Sequence, residues 1–535
     1  VTTAHRIIPA RTVALLVALG WAGAGAETLL AQAPKSPHHF AGREAQRYTE
    51  RAREIAEQQR GPFVEQRRLL AAKTANEQQK TAAEAQLAAL APVVQQLDAA
   101  QAQLTPAGPV ATALAATASA PDTYKAAAAS TAQLLAELAK ITAERKAAVA
   151  TATQSQAQAV AQLAALEPQL KAAGDARAAA EKLVVEASNL AKTAIDRITV
   201  LDTKGDQPDP AQARQVAKIA HTRGLLNCRF DADGQWLWTG GEDNAIHRFD
   251  WISGAKESFA GHKSWVGSLA FAGEATSFVS GGYEGQLLFW DAATGKGAPV
   301  RTVDAHKGFL RSISISPDGK TLVTGGNDKL VKAWNIADGA LVATLEGHQS
   351  HVYSVAFSRD GKRLVSGDLK GVVKDWDTTT WKHVRDLDAA VMTKFDPSFM
   401  ADVGGVRCMD FSPDGKLLAL GGIGEVSNAF AGVGKPIVVL FDWETGKQLR
   451  VMESADAFQG SVFGVKFSPA GDFIVAAGGG NGGALWFWKP QDVKSFHMVK
   501  IDQVARDLAM HPDGLRLAVP CFDMSLRIFD LTPAP

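Results

Sequence analysis

The spacing of apolar positions changes twice along the chain. Thr12 to Ala26 (TVALLVALGWAGAGA) is an unbroken apolar run without charge. From about residue 40 to 204 the apolar residues recur every three or four positions. Examples are Leu87, Leu90, Val94, Leu97 and Leu104; Leu134, Leu138 and Ile141; and Leu183, Ala187, Leu190 and Ala194, with Ile198 and Leu201 extending the face. That period predicts helices with an apolar stripe, as in a coiled-coil seam. From about Gln215 onward the pattern becomes alternation in short runs, separated by turns rich in Gly, Asp and Pro, which predicts β-strands. The chain therefore reads as multidomain, with a long helical region followed by an all-β domain.

Within the helical region (40–204), the segment 105–123 (TPAGPVATALAATASAPDT) carries three prolines and a glycine. It is expected to reverse the chain and give an antiparallel coiled-coil hairpin. Gly61-Pro62, Pro92 and Pro168 are each expected to kink or split a helix. Many seam positions are Ala, which buries little surface, so self-association into a homo-oligomer through this region is one expectation. A plain spacer or stalk is another, and an Ala/Gln-rich disordered linker a third. The adjacent His38 and His39 read as exposed and idle.

The first apolar run follows Arg6 and Arg11 and ends in Ala24-Gly25-Ala26. Small residues at those positions suit signal-peptide cleavage, giving a signal peptide at 1–26 and a linker at 27–39. The run is short for a membrane span, which needs about 20 residues. A membrane role is expected only if the segment stays uncleaved. This predicts a periplasmic or secreted protein. Lys plus Arg and Asp plus Glu balance at 56 each, which leaves no basic footprint for nucleic acid. Cys228, Cys408 and Cys521 fall in separate repeats and read as buried small hydrophobes rather than a disulfide framework.

After residue 215 a unit of about 42 residues repeats. The clearest copy is His306 to Asn335 (HKGFLRSISISPDGKTLVTGGNDKLVKAWN): strand, SPDG turn, strand, GGND turn, strand. Gly-His pairs occur at Gly261-His262 and Gly347-His348, with degenerate copies at Ala305-His306 and Ala220-His221. Closing elements stand at Phe249-Asp250, Trp290-Asp291, Trp334-Asn335, Trp376-Asp377, Phe441-Asp442, Trp488-Lys489 and Phe529-Asp530. This region resembles WD40 repeats, and the whole resembles exported bacterial WD40 proteins with an N-terminal helical region. Seven closing elements imply a seven-bladed β-propeller over 213–535. The last blade lacks an outer strand, and 213–220 is expected to supply it and close the ring. Asp206 to Pro210 is the expected hinge.

His306, Thr324, Asp328 and Trp334 could be mistaken for a hydrolase site. The resemblance implies instead a buried structural tetrad, repeated in part as His262, Ser280, Glu284 and Trp290, and as His348, Ser366 and Trp376 with Lys370 at the acidic position. No catalytic residue, metal site or cofactor is expected. The histidines are expected to lie in separate blades, and no C-x-x-C-H run offers a haem attachment. The glycine stretches 421–424 and 478–483 lack a following Lys-Ser/Thr and are not phosphate loops.

The resemblance places partner-binding residues on one face of the ring: Trp265, Tyr283, Phe309, Asn327, His351 and Leu369, with Glu242 and Phe522 at equivalent turns and Arg311 and Arg407 nearby. Exposed aromatics beside arginines are typical interface anchors. The fifth blade carries extra sequence at 388–404, with Met392, Phe395, Phe399 and Met400, and at 423–435. The expected function is a non-catalytic protein-interaction scaffold, its ring displayed on a helical stalk outside the cytoplasm. The alternatives are a cell-envelope component that self-associates through its helices and a non-haem partner of an exported redox enzyme.

Overall fold

The computed structural model describes residues 36–117, 119–272, 277–291, 298–397, 400–428 and 433–533. The apolar run with its cleavage motif and Phe399 lie outside them. Two compact units are present. One is Tyr48–Asn189; the other joins Leu190–Pro535 to the residues up to Arg47.

Among the described residues, four α-helices precede the ring: α1 (Pro37–Gln58), α2 (Arg60–Leu104), α3 (Ala107–Ala115) and α4 (Asp122–Lys204). Helix therefore begins inside the expected linker, at Pro37. The expected break at 105–123 holds a helix of its own, α3. Within the first unit α2 runs antiparallel to α4. Gln66 meets Arg177 at 3.0 Å, Gln79 meets Ser155 at 3.2 Å, and Asp98 pairs with Lys146 at 2.7 Å.

The proline expectation is corrected in part. The chain breaks once, at Gln59, and Pro62 sits in the first turn of α2, where its missing N–H costs no hydrogen bond. Pro92 and Pro168 lie inside continuous helices. The seam matches the expected stripes only in part: Ala187, Ala194 and Leu201 of the third run are buried, and Leu87, Leu90, Val94 and Leu97 of the first are half-buried. Ala152, Ala159, Ala173, Ala180 and Ala187 are buried, whereas Leu104, Leu134, Ile141 and Leu183 are exposed. These alanines fall at multiples of seven residues, and small side chains let two helices lie close. No helix among the described residues is long and apolar enough to cross a membrane.

The remainder is a seven-bladed β-propeller. Seven four-stranded antiparallel sheets span 229–260, 266–304, 310–345, 352–388, 408–453, 460–501 and 509–530. The seventh is completed by β1 (Arg214–Ala220), which pairs antiparallel with Ser525–Asp530. Blades stack through large apolar residues. Trp238 and Phe259 of blade 1 pack on Phe278 and Trp290 of blade 2. Leu237 and Phe249 of blade 1 pack on Ala518 and Ile528 of blade 7, sealing the ring.

The alternating strand directions create two faces. Connections between blades and the turns after each second strand share one, here the loop face. The SPDG-type turns after each first strand lie on the other, the turn face. In blade 5, 423–435 is largely strand rather than loop: it extends the hairpin of Leu417–Asn428 with Val433–Asp442. The segment 388–404 adds a second hairpin, Thr393–Asp396 with Ala401–Gly404. Met392 at its base is fully buried in the blade core, while Phe395 and Met400 are exposed.

The expected hinge is fastened. Gly205, at φ 90°, ends α4, Pro210 is buried, and the Asp209 N–H donates to the Leu531 carbonyl at 2.8 Å. The helix ends that belong to the ring's unit dock on the turn face. Ala41 and Leu201 pack on Leu515, and Phe40 meets the His511 ring edge-on at 5.5 Å. Glu44 accepts from Arg516 at 2.5 Å and Asp513 from Arg197 at 2.9 Å, all four buried or nearly so. Burial pushes the Glu44 carboxyl up to about 7, against the pull of Arg197 and His511. His38 and His39 are not idle here: His38 contacts Asp202 at 3.2 Å and His39 lies edge-on to Phe40.

Candidate functional site

In blade 3, His306 Nε2 lies 2.7 Å from Thr324 Oγ1, its Nδ1 lies 2.8 Å from Asp328, and the Trp334 indole donates to the same Thr324 hydroxyl at 3.0 Å. Blade 2 repeats this with His262, Ser280, Glu284 and Trp290. Blade 4 uses His348, Ser366 and Trp376, but Asp368 replaces the expected Lys370, at 3.0 Å from His348 Nδ1. Every ring and hydroxyl in these sets is buried and bonded. They tie the loop face to the blade interior, leaving no free nucleophile.

Blade 1 departs from the scheme. His221, Thr239 and Asp243 hold the equivalent positions, but Phe249 replaces Trp. Thr239 bonds only the Gly240 carbonyl, at 3.3 Å. A second histidine, His247, stands where blades 2 to 4 have Leu288, Lys332 and Lys374. The His221 and His247 rings lie 4.4 Å apart, and His247 Nε2 is 3.0 Å from Asp243. The motif histidines do lie in separate blades, but in blade 1 a second histidine outside the motif meets His221, with a carboxylate close to both.

On the loop face the same backbone bond recurs. The N–H of the turn residue donates to the loop residue before the blade: Tyr283 to Trp265 at 2.9 Å, Asn327 to Phe309 at 2.9 Å, and Leu369 to His351 at 3.0 Å. This pairing sets neighbouring side chains side by side. Tyr283 stacks on Phe309 with centroids 4.3 Å apart, and Trp265 lies 5.9 Å from Tyr283. Trp265 is 43% exposed and Phe309 39%. Leu369 borders the inserted hairpin, its carbonyl accepting from Thr393 at 3.0 Å. Burial, with the Arg311 and Lys329 charges, lowers the His351 pKa.

Arg311 sits among these rings. Its guanidinium is 4.8 Å from the Phe309 centroid, 5.2 Å from Tyr283 and 4.8 Å from Tyr353, and it donates to Asn327 at 2.8 Å. Arg407 also lies over the Tyr353 ring, 4.3 Å from its centroid. Neither arginine has a carboxylate partner among the described residues, unlike Arg506, which pairs with Glu242 at 2.6 Å and lies over Phe522. Tyr353, which the sequence pattern did not single out, lies against both arginines. Its signal was its place two residues after His351 in the loop pattern. These groups edge a central cavity of about 1070 Å³ that also exposes Arg229, Cys408 and Asp507. Cys228 and Cys521 are buried and Cys408 is half-buried, none disulfide-bonded, and burial pushes all three thiols up.

The model of the WD domain, G-beta repeat matches residues 255–291, 297–335, 339–377 and 397–423. The ring carries WD40 repeats. The first three matches each start near one blade's outer strand, run into the next blade and contain the complete tetrads; the fourth starts within the inserted hairpin and ends in blade 5. A p21-activated protein kinase-interacting protein 1-like protein of Danio rerio is 31% identical over 121 residues, 22% of this chain and 32% of the relative. A Protein HIR1 of Cryptococcus neoformans var. neoformans is 27% identical over 161 residues, 27% of this chain and 18% of the relative. A Nuclear distribution protein PAC1-1 of Uncinocarpus reesii is 28% identical over 150 residues, 23% of this chain and 33% of the relative. The chain spans a third or less of the length of these relatives.

Proposed function

We infer that this WD40 ring is a non-catalytic scaffold whose loop face binds protein partners. The observation that carries the reading is Arg311, held among Tyr283, Phe309 and Tyr353 without a carboxylate partner among the described residues. A rigid aromatic and arginine cluster on an open face is how binding hot spots are built. A partner segment placing an apolar side chain on Trp265 and Phe309 and a carboxylate on Arg311 would suit it. The relatives agree in kind, since one is named as the interacting protein of a kinase. Capture and mass spectrometry should lose specific partners for a folded Trp265→Ala/Phe309→Ala double variant. Unchanged capture by that variant would overturn the reading.

Display outside the cytoplasm is proposed from Arg6, Arg11 and the apolar run to Ala26. Fractionation with N-terminal sequencing of the mature chain tests it. Self-association through the helices is a second reading, favoured by the exposed Leu134, Val160, Leu183 and Val185. Sedimentation of the full chain with those residues changed to Glu should show a smaller assembly if it is right.

A further inference from the structure

We propose that His221, Asp243 and His247 of blade 1 bind a divalent transition metal ion, zinc in particular. Three observations converge on this. The first is the ligand set. Two imidazoles and one carboxylate are a common complement for such ions, with a fourth position left to water. His247 is 2% exposed, so the set is built into the blade.

The second is spacing. His247 Nε2 lies 3.0 Å from Asp243 Oδ2, and His221 Nε2 lies 4.0 Å from the same oxygen. All three ligand atoms fall within 4.8 Å of one another. Metal–ligand bonds of about 2.0–2.2 Å in a tetrahedron need separations of roughly 3.3 Å. The observed distances bracket that value.

The third is the outer support. His221 Nδ1 is 3.1 Å from the Arg223 carbonyl and 3.2 Å from the Arg223 N–H, and His247 Nδ1 is 2.8 Å from Ser258 Oγ. In the metal-bound form the Nδ1–H groups would donate to the two oxygens, leaving both Nε2 atoms to ligate. Anchoring one ring nitrogen so that the other can ligate is the recurrent arrangement around bound metals.

A cation already occupies part of this space. Lys256 Nζ lies 2.7 Å from His221 Nε2. Lys256 is exposed and its long side chain can swing to solvent, so an incoming ion would displace it. The competing reading is a polar cluster that Lys256 alone completes, with no affinity for metal.

Calorimetric titration of Zn²⁺ into metal-stripped full-length protein separates the two. The expected result is one site per chain, weakened at least tenfold in His247→Leu and in His221→Asn. Leu is what blade 2 carries at that position, as Leu288, so the first variant should fold; if it does not, the second supplies the answer. Lys256→Met should bind several-fold more tightly, and Ser258→Ala about tenfold more weakly. Absence of binding by the wild type, or a titration unchanged in the histidine variants, would overturn the proposal.

Discussion

Thr324 Oγ1 serves two buried rings at once, the His306 imidazole and the Trp334 indole. Thr324→Val keeps the shape and removes both bonds. Each orphaned buried group costs roughly 1–3 kcal/mol, so the variant should lose about 2–6 kcal/mol in urea unfolding. Thr239→Val, the same change in blade 1, should cost under about 1 kcal/mol, because its hydroxyl serves no ring. Equal losses would show that the hydroxyl networks do not set blade stability. The tetrads were legible because His and Ser or Thr stand 18 residues apart in blades 2, 3 and 4. Asp368 was not, since it lies two residues before the expected position and reaches His348 from the end of its own strand. The blade 1 cluster was missed for a related reason. The repeat aligns His247 with Leu288, Lys332 and Lys374, and only the fold shows that the strand carrying it faces His221.

Among the elements, the closing strand makes the clearest prediction. Lys218 of β1 donates to Asp523 at 3.0 Å, in the turn that precedes the paired strand. Burial works to raise the Asp523 pKa, but Ser525, Lys218 and Arg527 donate to it and hold it at about 2, below its ordinary 3.8. A carboxyl lowered in the folded state stabilises fully above its unfolded pKa. That stabilisation should therefore be present above pH 4 and drain away between about 4 and 2. Hydrogen exchange in 214–220 should speed up over that window, and less so in Asp523→Asn, where the carboxylate is already gone. A β1 whose exchange ignores pH in the wild type would refute the account. The seven blades were legible from closing residues alone, since the Trp or Phe position survives in every blade even where the tetrad does not. The helical elements were less so. The leucine pattern picked out the half-buried Leu87, Leu90, Val94 and Leu97 of α2 but not the alanines buried at seven-residue intervals along α4, and Pro92 and Pro168 stay within their helices.

For the ring as a whole, the two faces have separate work. Phe40, Ala41, Glu44, Arg197 and Leu201 cover the turn face at blades 1 and 7, while the aromatic and arginine cluster lies on the loop face. Nothing in the composition of α1 announced that docking; Glu44 reads as an ordinary solvated position until Arg516 is seen opposite it. Arg516 is 1% exposed and stacks on Trp251 at 4.5 Å. Removing one partner of a buried pair leaves the other charge stranded, at a cost of about 3–5 kcal/mol. Asp513 remains 3.3 Å from Arg516 Nε and takes up part of the charge, so Glu44→Ala should fall at or below the lower end of that range. Phe40→Ala should lose about 3 kcal/mol through the cavity it opens beside His511. Both variants should raise hydrogen exchange in 37–47 and in the turn 511–516. Both should leave partner capture by the loop face unchanged, because strand alternation puts the two faces at opposite ends of every blade. Loss of capture in Phe40→Ala, with the ring still folded, would mean that the two faces are coupled.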